Sequence, residues 1–319
     1  MSVQISIVHF AEDHELRFND VLVDQVESIR FFTKYPYRLN IIDNQMSDKA
    51  RKDLDEKLPD VEILRTSGRY NTFPAGANHA IEHMSGDYLF LSHTDMLMGW
   101  RWLDCLVLNL QSVEIKEGVP CATCPTLLFY PRKTGDSTKK SSDETRAKGV
   151  QAYMEKHKIP YRMWGDISIA VSLPGKVTDN GWRLGGAYLA SRRFFDDVGP
   201  YDPLINRGND KSYGIKALMT DCHVSNSNMV CLHHLSALHA HSGVYSSGYF
   251  AKQLPKHRRG LGLGGYAQFK YKWGTKVFKK VQDGTIWIEL HEAQRKGGGA
   301  ASRKLIERYR KEDQVEKPI

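Results

Sequence analysis

Apolar residues along the first 110 positions follow two alternating spacings. Short continuous runs, such as Ile5–Phe10, are typical of strands that are buried on both faces. Between these runs, apolar residues recur every three or four positions, as in Val21–Phe32, which predicts amphipathic helices. The predicted strands are Ile5–Phe10, Leu39–Ile42, Val61–Leu64 and Tyr88–Leu91, and the predicted helices are Val21–Phe32, a helix capped by Ser47, Ala75–Met84 and Trp102–Val113. Strands that alternate with helices of this length predict β-α-β units and a mainly parallel sheet.

Polar side chains follow two of these predicted strands. Asp43 and Asn44 come directly after the second strand, and His93, Thr94 and Asp95 come after the fourth. Sheets of this kind bind ligands beyond the carboxyl ends of their strands, and a carboxylate beside an imidazole is suited to a metal ion. The same residue types are also common in turns, so the pattern leaves a turn and a ligand site both open.

Composition describes an ordinary globular chain with an uneven charge. The 319 residues carry a formal charge of +8, and the segment from position 251 to the end has 17 Lys and Arg against 7 Asp and Glu, a net of +10 that leaves −2 for the rest. A basic segment favours polyanions such as nucleic acid, anionic glycans or an acidic membrane face, although a solvated helical surface also fits. Five cysteines, no secretory signal and no long apolar run favour a cytoplasmic protein, in the host cytoplasm if the chain is viral.

The middle of the chain is polar. Residues 131–180, which begin PRKTGDSTKKSSDETRAKG, predict a long loop that is either a lid or an insertion without function. Cys121 and Cys124 have zinc-knuckle spacing, but no second such pair follows, so we expect two core cysteines. The glycine-rich stretch 260–265 follows basic residues and not a strand, which favours a linker over a dinucleotide loop.

An ordered set of segments carries a family resemblance. These are IIDN at 41–44, NTFPAGAN at 71–78, GDYLFLSHTD at 86–95, GGAYLASRRFFDDVGPYDP at 185–203 and Asn209-Asp210 ahead of a predicted helix. Together they resemble the inverting family 2 nucleotide-sugar glycosyltransferases of GT-A fold, over about residues 3–245. The resemblance implies a Rossmann-like α/β fold, with a mainly parallel central sheet flanked by helices. It also implies sugar transfer from a nucleotide-diphosphate sugar, with UDP-sugars favoured.

The resemblance assigns a metal centre. GDYLFLSHTD stands in the place of the family's Asp-x-Asp segment, which implies that Asp95 is a ligand of Mn²⁺ or Mg²⁺. Such a cation stabilises the negative charge of a departing diphosphate. His93 replaces the usual first aspartate, which implies a contact with the ribose or an indirect one with the metal, and leaves a metal-independent enzyme open. His239 and His241 lie on one face of a predicted strand and are implied as further ligands, with His233 or His234 as alternatives.

The remaining implied roles concern the donor, the acceptor and the base. Asp210 is implied as the general base that removes the acceptor proton, although an aspartate here also fits a helix N-cap. The implied nucleotide pocket consists of Val8, His9, Asp43, Asn71 and Asn78. Gly185 and Gly186 would let the backbone approach the donor sugar, whereas Trp182 and Asn209 would lie on the acceptor side.

We therefore expect a transferase domain at residues 1–245 and a basic C-terminal extension at 246–319. The extension interleaves Lys and Arg with Tyr266, Phe269, Tyr271, Trp273 and Phe278, which suits a phosphate backbone with exposed bases. The expected acceptor is acidic, either hydroxymethylated phage DNA or a surface glycan. The alternative is a non-catalytic nucleic-acid-binding protein on a degenerate transferase scaffold. A nucleotidyltransferase is disfavoured because the stretch after the first strand, HFAEDHELRFND, is acidic and lacks glycine.

Overall fold

The predicted α/β alternation of the first 110 residues is confirmed in all eight elements. The computed structural model describes residues 2–13, 15–68, 70–94, 96–129, 176–178, 184, 186–205, 207–234 and 266–315. Its strands are β1 (Val3–His9), β2 (Tyr37–Asp43), β3 (Glu62–Arg65), β4 (Tyr88–His93), β5 (Met96–Leu97), β6 (Cys121–Phe129), β7 (Lys176–Thr178), β8 (Ala187–Ser191) and β9 (His223–His234). Its helices are α1 (Arg17–Phe32), α2 (Asp48–Lys57), α3 (Phe73–Glu82), α4 (Trp102–Glu117), α5 (Arg192–Val198), α6 (Asn209–Leu218), α7 (Ala267–Trp273), α8 (Thr275–Asp283) and α9 (Thr285–Val315).

The strands form a single sheet in the order β3-β2-β1-β4-β8-β6-β9-β5, with β7 paired to β6. β3, β2, β1 and β4 run parallel, as the β-α-β pattern predicts, and β6 and β9 form the longest parallel ladder. β8 is antiparallel to both of its neighbours and joins the two parallel groups. The result is a mixed α/β sheet whose longest ladders are parallel.

Helices cover both faces of this sheet, which explains the continuous apolar runs of the strands. On one face, α1, α2 and α4 pack against side chains such as Ile5 and Phe90. On the other face, α3, α5 and α6 pack against Leu89 and Leu91. The N-cap predicted for α2 is also confirmed, because the Ser47 hydroxyl accepts the backbone N–H of Ala50 at 3.2 Å.

The C-terminal helices α7, α8 and α9 build a third core against α6. Ile215 and Leu218 of α6 share that core with Phe269, Trp273 and other residues of the C-terminal helices. Polar contacts fix the docking, since the Trp273 indole N–H donates to Ser212 Oγ at 2.9 Å. α9 bends where its backbone leaves helical geometry at Gly297 and Gly298. Hydrophobic packing therefore joins the basic segment to the sheet domain.

This packing corrects the predicted use of the tail aromatics. Phe269 and Trp273 are buried, and Tyr266 and Phe278 pack against the same core. Of the five aromatic residues, Tyr271 alone is exposed, at 49% of its surface. Interleaving with Lys and Arg therefore reflects amphipathic helices whose aromatic face packs inward. Phe269 and Trp273 are not available to stack on bases, and Tyr266 and Phe278 are only partly exposed.

Two other expectations concern the middle of the chain. Cys121 and Cys124 are buried on β6, which confirms them as core cysteines. The polar segment 131–180 lies outside the described residues except for the three residues of β7, as does the stretch 260–265. Among the described helices, none is long and apolar enough to cross a membrane.

Candidate functional site

The polar strand ends converge on one edge of the sheet. β1 lies between β2 and β4, and its register pairs His9 with Asp43 on one side and Val8 with His93 on the other. The strands that end at Asp43 and His93 are therefore both paired with β1 and not with each other. The carboxyl ends of three consecutive parallel strands nevertheless meet here, where α/β sheets bind ligands.

The buried side chain of His9 forms hydrogen bonds with two other segments at this edge. Its ring is 1% exposed, with Nδ1 2.8 Å from Thr94 Oγ1 and Nε2 2.8 Å from Asn19 Oδ1. Because the Asn19 oxygen can only accept, Nε2 carries the proton and Nδ1 accepts from the threonine hydroxyl. Both ring nitrogens are thus engaged in holding β1 to α1 and to the turn after β4.

Val8 and Asn78 are also occupied by protein contacts. A Cβ placed on Gly76 of α3 would come 2.4 Å from Val8 Cγ1, so the glycine lets the helix approach the end of β1. The Asn78 side chain binds the backbone of Tyr201 in both directions, accepting its N–H at 2.7 Å and donating to its carbonyl at 3.1 Å. Within the described residues, these two side chains position α3 and the segment after α5.

Asp43 is a buried carboxylate with charged neighbours. It is 0% exposed, and Oδ1 accepts the Met46 N–H at 2.7 Å. Oδ2 lies 3.3 Å from Arg51 and 3.7 Å from Arg65. Arg65 is half exposed, so this edge of the sheet presents positive charge to solvent beside the buried acid.

Near the end of β2, several buried polar atoms have no hydrogen-bond partner among the described residues. They are Asn44 Oδ1, Thr66 Oγ1 and both side-chain polar atoms of Asn71, and each of these residues is less than 8% exposed. Thr66 N–H donates to Asp43 O at 2.9 Å, and Asn44 Nδ2 donates to Thr72 O at 3.1 Å, which places the group between the ends of β2 and β3 and the start of α3.

Leaving a buried polar group unpaired costs about 1–3 kcal/mol, so such groups are rare in folded proteins without a ligand or water to pair them. Asn71 was among the residues assigned by resemblance, whereas Thr66 was not. A polar residue directly after the third strand is the sequence signal that would have identified it.

His93 is half buried in a fitted slot at the end of β4. Its ring stacks on Phe73 with centroids 3.9 Å apart and planes 6° apart, and its backbone N–H donates to Gly186 O at 2.8 Å. A Cβ at Gly186 would lie 2.7 Å from His93 Cδ2 and 2.8 Å from Met96 Cε. The missing side chain of Gly186 therefore lets the His93 ring lie close to the backbone of residue 186. An imidazole at this position is a ligand type that Mn²⁺ accepts more readily than Mg²⁺.

Aromatic side chains connect this edge to α6. Phe73 contacts Tyr201 edge to face at 6.3 Å, and Tyr201 stacks on Tyr213 at 3.7 Å. The hydroxyl groups of Tyr201 and Tyr188 are 2.7 Å apart. Burial raises the pKa of Tyr201 well above its usual value near 10, and Tyr213 and the Asp210 carboxylate raise it further. Tyr201 thus joins Phe73 to α6, the helix that carries Asp210.

Asp210 is the second residue of α6 and not its N-cap. The cap position belongs to Gly208, which has a φ of 76° and makes no side-chain cap. A side chain there would also collide with Tyr266, since a Cβ would lie 2.7 Å from Cε1. The N-cap interpretation of Asp210 is therefore wrong. Asp210 is half buried and Asn209 is 8% exposed, and Asn209 lines a shallow crevice with Tyr201 and residues of α6.

The other assigned residues, which are Asp95, Trp182, Gly185, His239 and His241, lie outside the described residues. The backbone register does locate the two alternative histidines. β9 is antiparallel to β5, with His234 opposite Met96 and His233 opposite Leu97. The histidine strand therefore runs beside the two residues that follow position 95.

Comparisons with known proteins support the fold. No protein-family profile and no curated protein sequence matches the chain. Among solved structures, the chain is similar to GalNAc-T7 solved with UDP, GalNAc and Mn²⁺, at 16% identity and a TM-score of 0.50, covering 89% of this chain and 57% of that one. It also resembles residues 1–349 of TarS from S. aureus, at 10% identity and a TM-score of 0.45, covering 99% of this chain and 91% of that one. The chain thus spans just over half the length of the GalNAc-T7 chain, and its fold is of the GT-A type.

Proposed function

We propose that the protein is a metal-dependent, inverting glycosyltransferase that transfers a sugar from a nucleotide-diphosphate sugar to a hydroxyl group. The observation that carries the proposal is the pair of unpartnered polar atoms on Asn71, buried at the ligand-binding edge of a GT-A sheet. A side-chain amide offers one donor and one acceptor, which matches the edge of a nucleobase. Uracil has this pattern, as the other bases do, and the preference for a UDP-sugar rests on the family resemblance.

Asp43 and its neighbours complete the donor pocket. Asn44 and Thr66 supply further buried polar atoms, so nucleotide binding would pair groups that are otherwise unpaired. Arg65, half exposed beside Asp43, supplies positive charge towards a bound nucleotide. Val8 and His9 form the floor of the pocket and hold its shape, and Gly185 and Gly186 would lie towards the donor sugar.

The residues for the diphosphate are assigned from sequence. Asp95, with His239 and His241, would hold Mn²⁺ or Mg²⁺, and His93 would contact the ribose or support the metal. A bound divalent cation would supply positive charge to stabilise the leaving diphosphate. His234 is a second candidate ligand, because its strand pairs with Met96 next to position 95.

Asp210 would be the general base. Its helix α6 contributes Tyr213, which stacks on Tyr201, and Tyr201 contacts the Phe73 that stacks on His93. The helix of the base and the donor edge are thus connected through these aromatic rings on the same side of the sheet. A carboxylate in this position would accept the proton of the acceptor hydroxyl as its oxygen attacks the anomeric carbon, so inversion needs no covalent intermediate. Asn209 and Trp182 would contact the acceptor.

The basic helices α7, α8 and α9 would bind an acidic acceptor. Exposed Lys and Arg residues such as Lys296, Lys304 and Lys311 provide a positive surface. Because most of the aromatic rings in these helices are internal, recognition would depend on phosphate or carboxylate groups and not on stacked bases. Hydroxymethylated DNA and an anionic surface glycan both have this chemistry.

The first experiment separates catalysis from donor binding. Purified protein with Mn²⁺ is incubated with UDP-, GDP-, ADP-, CDP- and dTDP-sugars, and release of free nucleotide diphosphate is measured alongside donor affinity by calorimetry. We expect slow release from one donor class, loss of release in Asp210→Asn with donor affinity unchanged, and no change in Asp196→Asn, an exposed aspartate on α5. If no nucleotide sugar binds or is hydrolysed, the non-catalytic scaffold is the better description.

The second experiment addresses the acceptor. Deleting the extension would expose the apolar face of α6, so charge removal is the cleaner perturbation. We expect Lys296→Gln/Lys304→Gln/Lys311→Gln to weaken binding to duplex DNA or to an anionic glycan, and to reduce its salt dependence by about one unit of slope per lost phosphate contact. Binding that keeps its full salt dependence in this variant would exclude the exposed face of α9 as the acceptor surface.

A further inference from the structure

The outer face of α3 carries a cluster of metal-ligating groups that the proposed reaction does not use. His79, Glu82 and His83 each offer one ligand atom, and these three atoms lie within 4.8 Å of one another. Their spacing of three and four residues places them on one face of the helix. Glu82 and His83 are exposed and His79 is half exposed, whereas the opposite face of the helix packs into the core.

One ring nitrogen of His83 is held by a hydrogen bond to the helix backbone. Its Nδ1 lies 2.9 Å from the backbone oxygen of His79. A carbonyl oxygen can only accept, so Nδ1 carries the proton and Nε2 keeps its lone pair. Metal-binding histidines commonly donate their other ring N–H to a backbone carbonyl in this way, which fixes the tautomer and the ring direction.

The second ring lies beside the first. The rings of His79 and His83 have centroids 4.1 Å apart at an angle of 42°. Burial and the neighbouring His83 lower the pKa of His79, and Glu82 opposes this shift. Ligands of a tetrahedral zinc ion lie about 3.3 Å apart for bonds of about 2.0 Å, so the side chains need to close by only about 1.5 Å.

We propose that His79, Glu82 and His83 form a surface Zn²⁺ site with water completing the coordination. Two imidazoles and one carboxylate are a ligand set that zinc accepts with an open fourth position. Imidazole nitrogen favours Zn²⁺ over Mn²⁺ and Mg²⁺. Binding would also pin the last turn of α3, whose C-cap is His83 itself.

This site is separate from the proposed donor site. α3 begins at the carboxyl edge of the sheet, and its ten residues span about 15 Å. The helix ends beside the turn at Gly86, whose missing Cβ leaves room for the backbone of Ser2 at the amino end of β1. The zinc site thus lies near the opposite edge of the sheet, and the inference does not depend on the proposed function.

The test is calorimetry of the untagged, chelator-treated full chain with ZnCl₂, MnCl₂ and MgCl₂. We expect the wild type to bind one more Zn²⁺ than His79→Gln/His83→Gln, and Glu82→Gln to bind zinc at this site at least about tenfold more weakly. Glu56→Gln, which removes an exposed carboxylate from α2, is the matched control and should match the wild type. Mn²⁺ and Mg²⁺ binding should be the same in all four proteins.

Thermal unfolding provides a second readout, because a ligand that binds the folded state raises its stability. Zn²⁺ should raise the Tm of the wild type more than that of the double histidine variant, with far-ultraviolet circular dichroism confirming that both are folded. Equal zinc stoichiometry and equal zinc-induced Tm shifts in the two proteins would overturn the proposal. If the double variant does not fold, Glu82→Gln decides: unchanged zinc affinity in that variant overturns it equally.

Discussion

Replacing Gly186 by alanine tests the slot that holds His93. The added Cβ would lie 2.7 Å from His93 Cδ2 and 2.8 Å from Met96 Cε, closer than folded proteins tolerate. Neither neighbour can withdraw easily, because His93 is stacked at 3.9 Å on Phe73 and Met96 is completely buried. Overpacking of this kind costs about 1–3 kcal/mol of folding free energy. We therefore expect Gly186→Ala to be destabilised by about 2 kcal/mol, with His93 displaced from its stack.

The measurement is urea unfolding followed by far-ultraviolet circular dichroism, with Gly68→Ala as the matched control. A Cβ at Gly68 would meet no atom within 4 Å, so that variant should be unchanged or more stable by about 0.4–1 kcal/mol through its less flexible unfolded state. His93→Ala/Gly186→Ala should be less destabilised than the sum of its single variants, with a coupling of about 0.5 kcal/mol or more. Equal unfolding midpoints for the two glycine variants, or additive effects, would show that His93 does not occupy this slot.

Two further predictions follow from buried polar groups. Asn71→Ala should abolish nucleotide binding with little loss of stability, because its side-chain amide is unpaired. Asn40→Ala should instead lower the free energy of unfolding by about 1–3 kcal/mol, because it removes the oxygen that accepts a hydrogen bond from Ser6 Oγ at 2.6 Å. Nucleotide affinity, measured by calorimetry, should be unchanged in Asn40→Ala. Burial, with His223 beside it, lowers the pKa of His291 to about 3. Since the unfolded chain takes up this proton near pH 6.5 and the folded chain near pH 3, the unfolding free energy should fall as the pH falls between these values. This dependence should be smaller in His291→Phe when urea unfolding is measured at each pH.

Local patterns were sufficient to predict the secondary structure of about the first 110 residues. Strands such as β4 are buried on both faces, so their sequences are continuous apolar runs. Helices such as α1 are buried on one face, so their apolar residues recur every three or four positions. The Ser47 cap was visible because capping depends on residues only three positions apart. The spacing of residues along the chain was therefore enough to predict where the strands end at the carboxyl edge of the sheet.

Features that depend on distant contacts were not predictable in the same way. The start of α6 is set by Gly208, whose missing side chain makes room for Tyr266 from a segment more than 50 residues later. The tail aromatics suggested a nucleic-acid surface because their internal partners, among them Ile215 and Leu218, lie far away in sequence. Thr66 was overlooked because a single threonine after a short strand is unremarkable until its burial and its lack of a partner are known.

Aromatic contacts connect His93 to the segment that precedes Asp210, the proposed base, although 117 positions separate the two residues in the sequence. Phe73 stacks on His93 and also contacts Tyr201, which stacks on Tyr213 of α6. Asn78 holds the Tyr201 backbone through two hydrogen bonds, so α3 fixes the segment that precedes the base. Tightly packed aromatic rings have few alternative rotamers, so a displacement of one ring displaces the rings that it contacts. Packing on α3 therefore positions the segment before Asp210 relative to His93. If Asp210 is the base, as proposed, a small displacement of Phe73 should lower turnover more than donor affinity.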